Sequence, residues 1–328
     1  MPDIAKINAV AIADVAKVDA VLKADIANIN GLTIPAAGIN PTAPTSGFLF
    51  TYDNAAVAYS VRQLNNNATQ IMRIRRASDN VEADVGFDAS DELSLTSPIS
   101  TTSDGLSYTD FADFVDHTGT ATDAFVRSWY DQTGLQFHQE QDAAGQQPQI
   151  YDASTGFVVV ETGGKPALFC SDANDGFDDT AGAIDVTSRT IYQWSVYSLT
   201  GVGNYPAITP SVLSELHDVS TEKPRTFSIR TTNRGGNASS AINTNQAYLR
   251  HSYADTTNIR TFLDGSSTAI IDVADAAENW STSDLRIFNT VSGATGEIKL
   301  SEFVCFQDDK SSDTTGIDNN INAHFGIY

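Results

Sequence analysis

Phe125-Val126-Arg127-Ser128-Trp129-Tyr130-Asp131-Gln132-Thr133-Gly134 is the stretch whose reading decides the fold. Phe125 to Tyr130 is rich in β-branched and aromatic residues interleaved with polar ones, which predicts a strand. The string that follows ends it in a turn, fixed by the Asp131 side chain. The same string could instead offer an aromatic face and a carboxylate to a sugar. Trp129, Tyr130, Asp131 and Gln132 are therefore the candidate carbohydrate-binding residues.

Working outward, Ile71 to Arg76 reads as a strand with Arg73 and Arg75 on one face. Arg73, Arg75 and Arg76 form the densest basic cluster, and internal pairing with Asp79, Asp84 or Asp88 is its expected role, ahead of a ligand site. Ala56, Tyr59, Val61 and Leu64 fall near helical spacing, so a short helix is expected over Ala55 to Leu64. A second is expected over Tyr108 to Val115, capped by Thr109, with Phe111, Phe114 and Val115 inward. From residue 157 onward the signal is nearly all β. The runs are Phe157–Glu161, Pro166–Cys170, Thr190–Leu199, Arg225–Thr231, Ala247–Tyr253, Asn258–Leu263, Ala269–Val273, Leu285–Asn289 and Ile298–Phe306. Leu263-Asp264-Gly265 is a hairpin signal. A short closing helix and tail is expected from Asp318 to Tyr328. Many short strands without interleaved helices imply an all-β, two-sheet sandwich.

The blocks Ala58-Tyr59-Ser60-Val61-Arg62-Gln63-Leu64, Ile71 to Asn80, Phe125 to Gly134, Gln147-Pro148-Gln149-Ile150 and Gly164-Lys165-Pro166-Ala167 occur in an order that carries a resemblance. The series resembles the catalytic domain of family-54 α-L-arabinofuranosidases, and the virion-protein domains built on the same scaffold. That resemblance implies a concanavalin-A-like jelly-roll sandwich with a few short helices over residues 49–328. In the family the nucleophile is a Glu on a mid-domain strand. The acid/base is an Asp in a loop before a late strand that carries its own Glu. With Glu302 matched to that late Glu, the acid/base position falls near Val291. The nucleophile strand falls on Arg225-Thr226-Phe227-Ser228-Ile229-Arg230, which holds no Glu. A retaining glycosidase needs two carboxylates about 5 Å apart, so the resemblance implies the scaffold without catalytic residues and a chain that is not an enzyme. No Gly-x-Ser-x-Gly, His-Glu-x-x-His, phosphate loop or Gly-x-Gly-x-x-Gly is present. His117, His138, His217, His251 and His324 are scattered.

The formal charge is −22, from 19 basic and 41 acidic side chains. Phosphate backbones would be repelled, so no nucleic-acid partner is expected; a neutral glycan would not be repelled. Cys170 and Cys305 lie in apolar runs and read as buried thiols, with a disulfide between an early and a late strand as the alternative. Asp172, Asn174 and Asp175 are a calcium candidate at close spacing. They lack a distal bidentate Glu, and a solvated turn is preferred; no cofactor is expected. There is no signal-peptide pattern and no run of 18 apolar residues, so neither conventional secretion nor membrane insertion is expected.

Residues 4 to 36 repeat with a period of eleven: Ile4-Ala5-Lys6-Ile7-Asn8, Val15-Ala16-Lys17-Val18-Asp19, Ile26-Ala27-Asn28-Ile29-Asn30. Ile4, Ile7, Ala11, Val15, Val18, Leu22, Ile26 and Ile29 follow the 3-4-4 spacing of a right-handed helical supercoil. The β-branched content and the turn residues Asn8, Asp19 and Asn30-Gly31 favour short strands instead. Both readings stay open, and either leaves apolar surface seeking a partner. Residues 1–36 are thus expected to be an anchoring and oligomerisation arm working through Ile4, Ile7, Val15, Val18, Leu22, Ile26 and Ile29. Residues 37–48 are a Pro- and Gly-punctuated linker. Arms of this character resemble the starts of structural proteins of marine tailed phages. The expected function is a non-enzymatic virion protein: a tail, fibre or capsid-decoration component, displaying a lectin-like domain to host glycans. Its expected partners are other virion proteins and copies of itself, with a trimer favoured. An arabinofuranosidase-like hydrolase and a stand-alone carbohydrate-binding module are the alternatives.

Overall fold

The computed structural model describes residues 28–29, 32–33 and 41–328. Within the last range, residues 161–163, 172–174, 178–179, 185–189, 201–204, 211–213, 219–222, 229–233, 239–240, 256, 275–282 and 289–296 fall outside the description. The chain divides into two units, residues 1–39 and 40–328. In the first, Asn28–Ile29 pairs antiparallel with Leu32–Thr33, either side of the Asn30-Gly31 dipeptide. That is the strand alternative at one point of the arm. Ile4, Ile7, Val15, Val18, Leu22 and Ile26 lie outside the described residues, and with them the repeat.

The second unit is mostly β. Its larger sheet has fourteen strands and its smaller sheet six, and the described pairings are antiparallel. Twelve strands of the larger sheet matter for the argument. They are β1 (Ala55–Ser60), β2 (Gln70–Arg76), β3 (Glu82–Gly86), β4 (Ala124–Trp129), β5 (Gln139–Glu140) and β6 (Gln149–Asp152) in the first half. The second half supplies β7 (Leu168–Cys170), β8 (Ile191–Leu199), β9 (Ala247–Ala254), β10 (Asn258–Leu263), β11 (Ile271–Ala274) and β12 (Ile298–Phe306). Their order is β11-β10-β9-β8-β12-β7-β6-β4-β2-β3, with β1 added on β12 and β5 on β4. The last strand in sequence therefore lies in the middle of the sheet. One edge of β12 pairs with β8, while the other is shared by β7 at Ile298–Leu300 and β1 at Glu302–Phe306.

Among the described residues there are three α-helices, α1 (Phe48–Thr51), α2 (Phe111–Val115) and α3 (Thr314–Phe325), and a 3-10 turn at Ala144–Gln146. The smaller sheet runs in the order Thr180–Ile184, Ser283–Ile287, Tyr205–Pro210, Ser214–Asp218, Lys223–Ser228, Arg234–Asn237. Its last strand approaches β11 closely: a Cβ on Gly236 would meet Val273 Cγ2 at 2.8 Å, so glycine is required there. One apolar core runs from Phe48 to Ile327 and takes in Leu285 and Ile287 of the smaller sheet and Phe288 just after them.

The helix expected over Ala55 to Leu64 is a strand instead. Ala56 to Ser60 are all buried, and a strand covered on both faces shows no alternation, so its apolar spacing mimics a helix by chance. The second helix is present, but its cap is Asp110, whose carboxylate accepts from Asp113 N at 2.9 Å. Thr109 takes the reciprocal part, donating its backbone N–H to Asp113. The Asp264-Gly265 turn forms as expected, with φ of 53° and 66° and Ser266 N donating to Leu263 O at 3.0 Å, the mirror-image turn that suits a twisted hairpin. The closing helix starts four residues earlier than expected, at Thr314. The disulfide alternative is excluded: neither cysteine is in a disulfide. Cys170 sits opposite Ile298, and Cys305 is seven residues further along β12, about 23 Å away at strand rise.

Candidate functional site

The Trp129–Gly134 string leaves β4 and turns inward. Asp131 has no exposed surface. Its Oδ1 accepts from the backbone N–H of Ala58 at 3.0 Å and of Thr133 at 3.1 Å; its Oδ2 accepts from Thr133 Oγ1 at 2.6 Å and Phe137 N at 3.4 Å. Burial pushes this carboxyl above its usual range, and the donated bonds oppose that rise. Gln132 binds β1's exit with both ends of its amide: Oε1 accepts from Leu64 N at 2.7 Å, and Nε2 donates to Arg62 O at 3.0 Å. Trp129 packs on Tyr59, 5.6 Å between ring centres, and its buried indole N–H has no hydrogen-bond partner among the described residues. Tyr130 donates its hydroxyl to the buried Asp84 at 2.6 Å. All four residues nominated for a sugar are at most 4% exposed. They tie β4 to β1, and no ring face or carboxylate oxygen is left for a ligand. The turn-fixing reading is the one the structure bears, and the sugar-contact assignment of Trp129, Tyr130, Asp131 and Gln132 is corrected accordingly.

A second cluster gathers residues from two of the sequence blocks, Ala58 to Leu64 and Gly164 to Ala167, around Glu302 of the late strand. Glu302, fully buried on β12, accepts from Arg62 Nε at 2.7 Å, Arg62 Nη2 at 2.9 Å and Ser60 Oγ at 2.7 Å. This is a two-pronged guanidinium–carboxylate pair, the strong geometry for such a contact. Arg62 also donates to Asn320 of α3 at 2.8 Å, and its guanidinium lies near the rings of Phe48 and Phe325. Beside it, Lys165 meets Glu92 at 2.5 Å, and His324 of α3 lies 3.6 Å from the same Glu92 oxygen. Burial, reinforced by the Arg62 and Lys165 cations, holds the His324 imidazole down at about 4. It is neutral at neutral pH. Arg62 stood out in sequence as a block residue, and Glu302 as the match to the late-strand Glu. Glu92, Asn320 and His324 were not, because nothing in their local spacing sets them apart.

The arginine cluster is consumed internally. Arg73 pairs with Glu82 at 2.8 Å and Asp84 at 2.9 Å, and Arg76 with Asp79 at 2.8 Å. Arg75 instead donates to Gln147 at 2.7 Å and Asn80 at 3.0 Å. Asp88 closes its own turn, through Ser90 N and Glu92 N, and takes none of the three arginines. Of the calcium candidates, Asp172 and Asn174 lie outside the described residues. Asp175 Oδ2 accepts from Ser171 N and Ser171 Oγ, both at 2.8 Å, as a turn carboxylate would. No group of three metal-ligating side chains occurs among the described residues. Val291 and the side chains of 225–230 likewise lie outside the description.

No protein-family model matches the sequence, and no curated protein matches it. Solved structures do. A GH54 α-L-arabinofuranosidase soaked with a cyclic sulfate inhibitor superposes with a TM-score of 0.57 at 14% identity, over 85% of this chain and 64% of that one. An arabinofuranosidase complexed with arabinofuranosyl-α-1,2-xylobiose gives 0.56 at 13% identity, over the same shares. The chain thus has the fold of these arabinofuranosidases and spans about two thirds of their length. At this identity the likeness is one of fold.

Proposed function

We propose that the chain is a non-enzymatic structural protein of a tailed-phage virion, in which a jelly-roll domain is displayed and residues 1–36 anchor or oligomerise it. One observation carries the non-enzymatic part: the buried carboxylates at the motif positions are committed to structural partners. Glu302 is closed by Arg62 and Ser60, and Asp131 by three backbone N–H groups and a hydroxyl. Hydrolysis with retention needs one carboxylate free to attack and another free to give a proton. The virion setting is supported by the arm's repeat and by the acidity that keeps crowded copies apart. Glycan recognition, if the displayed domain performs it, uses surface other than Trp129 to Gln132. The test is to purify the full chain and the form lacking residues 1–36, and to measure oligomeric state, glycan-array binding and release of arabinose from an aryl arabinofuranoside. Assembly that depends on the arm, without sugar release, is the expected result. Release abolished by neutralising one buried acid would establish the hydrolase instead.

A further inference from the structure

The expected linker over 37–48 ends in a segment that is tied down. Pro41 is buried. Three consecutive asparagines then grip the residues after it. Asn65 Nδ2 donates to Thr42 O at 2.9 Å and Asn67 Nδ2 to Ala43 O at 2.8 Å. Asn66 Oδ1 accepts from Thr45 N at 2.8 Å and Ser46 N at 3.0 Å, while its Nδ2 donates to Thr45 Oγ1 at 2.9 Å. A Pro-, Thr- and Ser-rich leash would leave these backbone groups to water; here side chains supply both donors and acceptors. Behind the grip, Asn65 Nδ2 also donates to Gln132 O at 2.9 Å, and Gln132 is bonded in turn to Ser60 O, Arg62 O and Leu64 N.

We infer that residues 41–46 are a strap that pins the first residues of the domain to the Asn65–Asn67 turn and, through Asn65 and Gln132, to the segments that follow β1 and β4. This deepens the display reading and rests on it only for what the arm does.

The test is amide hydrogen exchange on the full chain. The Thr45 and Ser46 amides should exchange at least about tenfold more slowly than an unstructured chain. Asn66→Ala, at an exposed position, should bring both to the unstructured rate while the melting temperature of the domain hardly moves. Asn66→Asp keeps the acceptor oxygen and should keep the protection. Unstructured rates in the wild type, or slow exchange that persists in Asn66→Ala, would overturn the strap. An oligomeric state indifferent to removal of residues 1–36 would instead sink the anchoring role, whatever the exchange shows.

Discussion

At one end of the large sheet, β2, β3 and β4 are laced by charge: Arg73 lies between Glu82 and Asp84, and Arg127 between Glu82 and Asp142. At the other end, β8, β9 and β10 carry rings that stack strand on strand. Trp194 lies on His251 at 4.4 Å and 8°, His251 on Phe262 at 5.3 Å, and Tyr192 on Tyr253 at 4.9 Å. Both ends solve the same problem of holding neighbouring strands in register. The charged end needs particular residues at particular places and loses much when one partner goes. The ring end gains its energy from area and tolerates exchange of one flat group for another.

Breaking the first kind of contact should cost most. Arg62→Leu leaves Glu302 buried and unpaired, and should lower unfolding stability by about 3–5 kcal/mol in urea titration; a loss under 1 kcal/mol would mean water reaches that carboxylate. Acid should weaken the fold through its buried histidines. His138, His251 and His324 are held at about 4, 3 and 4 by burial, below the ordinary imidazole value of 6.5. The unfolded chain takes up protons first, so stability present above pH 6.5 should fall by roughly 2–4 kcal/mol as pH drops from 6.5 to 4. Asp264 works the other way. Burial raises it to about 6, so it favours the fold below its ordinary range and loses that contribution as pH rises through 6. His251→Phe should preserve the stack and flatten part of the acid limb of the stability profile.

Asp131→Asn should cost about 1–3 kcal/mol, because an amide cannot accept on both sides and its NH2 would face donors. Trp194→Phe keeps a ring in the ladder but removes the indole bond to Asp318 at 2.8 Å. About 1–2 kcal/mol is expected, together with faster exchange at the start of α3. Asp272→Asn, at a half-exposed pair with Arg260, should change stability by less than about 0.5 kcal/mol. A larger effect there would blur the line between the two ends.

The same contrast decides what could be read in advance. Most of the β runs after residue 157, the turn at Asp264-Gly265 and the internal pairing of Arg73 and Arg76 were legible, because turn chemistry and charge balance are local. The run expected over Phe157–Glu161 is strand, among its described residues, only at Phe157, and Thr180–Ile184, Tyr205–Pro210, Ser214–Asp218 and Arg234–Asn237 were missed. The first strand was misread, because a ribbon buried on both sides has no period. The Arg62–Glu302 pair spans 240 residues, and Trp194 meets His251 only through strand register. No spacing rule reaches that far. Trp129 to Gln132 looked like a surface for sugar because aromatics beside a carboxylate also describe a well-packed knot. Only burial tells the two apart.

The central place of β12 has a consequence for synthesis. As the polypeptide leaves the ribosome, β1 emerges early and must wait, its edge bare, until residues 302–306 arrive to cover it. Nearly the whole domain is made before its middle is filled, so most of its pairings join distant parts of the chain, and such topologies fold slowly and expose sticky edges meanwhile. A nascent chain stalled before residue 298 should therefore be protease-sensitive throughout, and chaperones should be found on it until residues 298–306 have emerged.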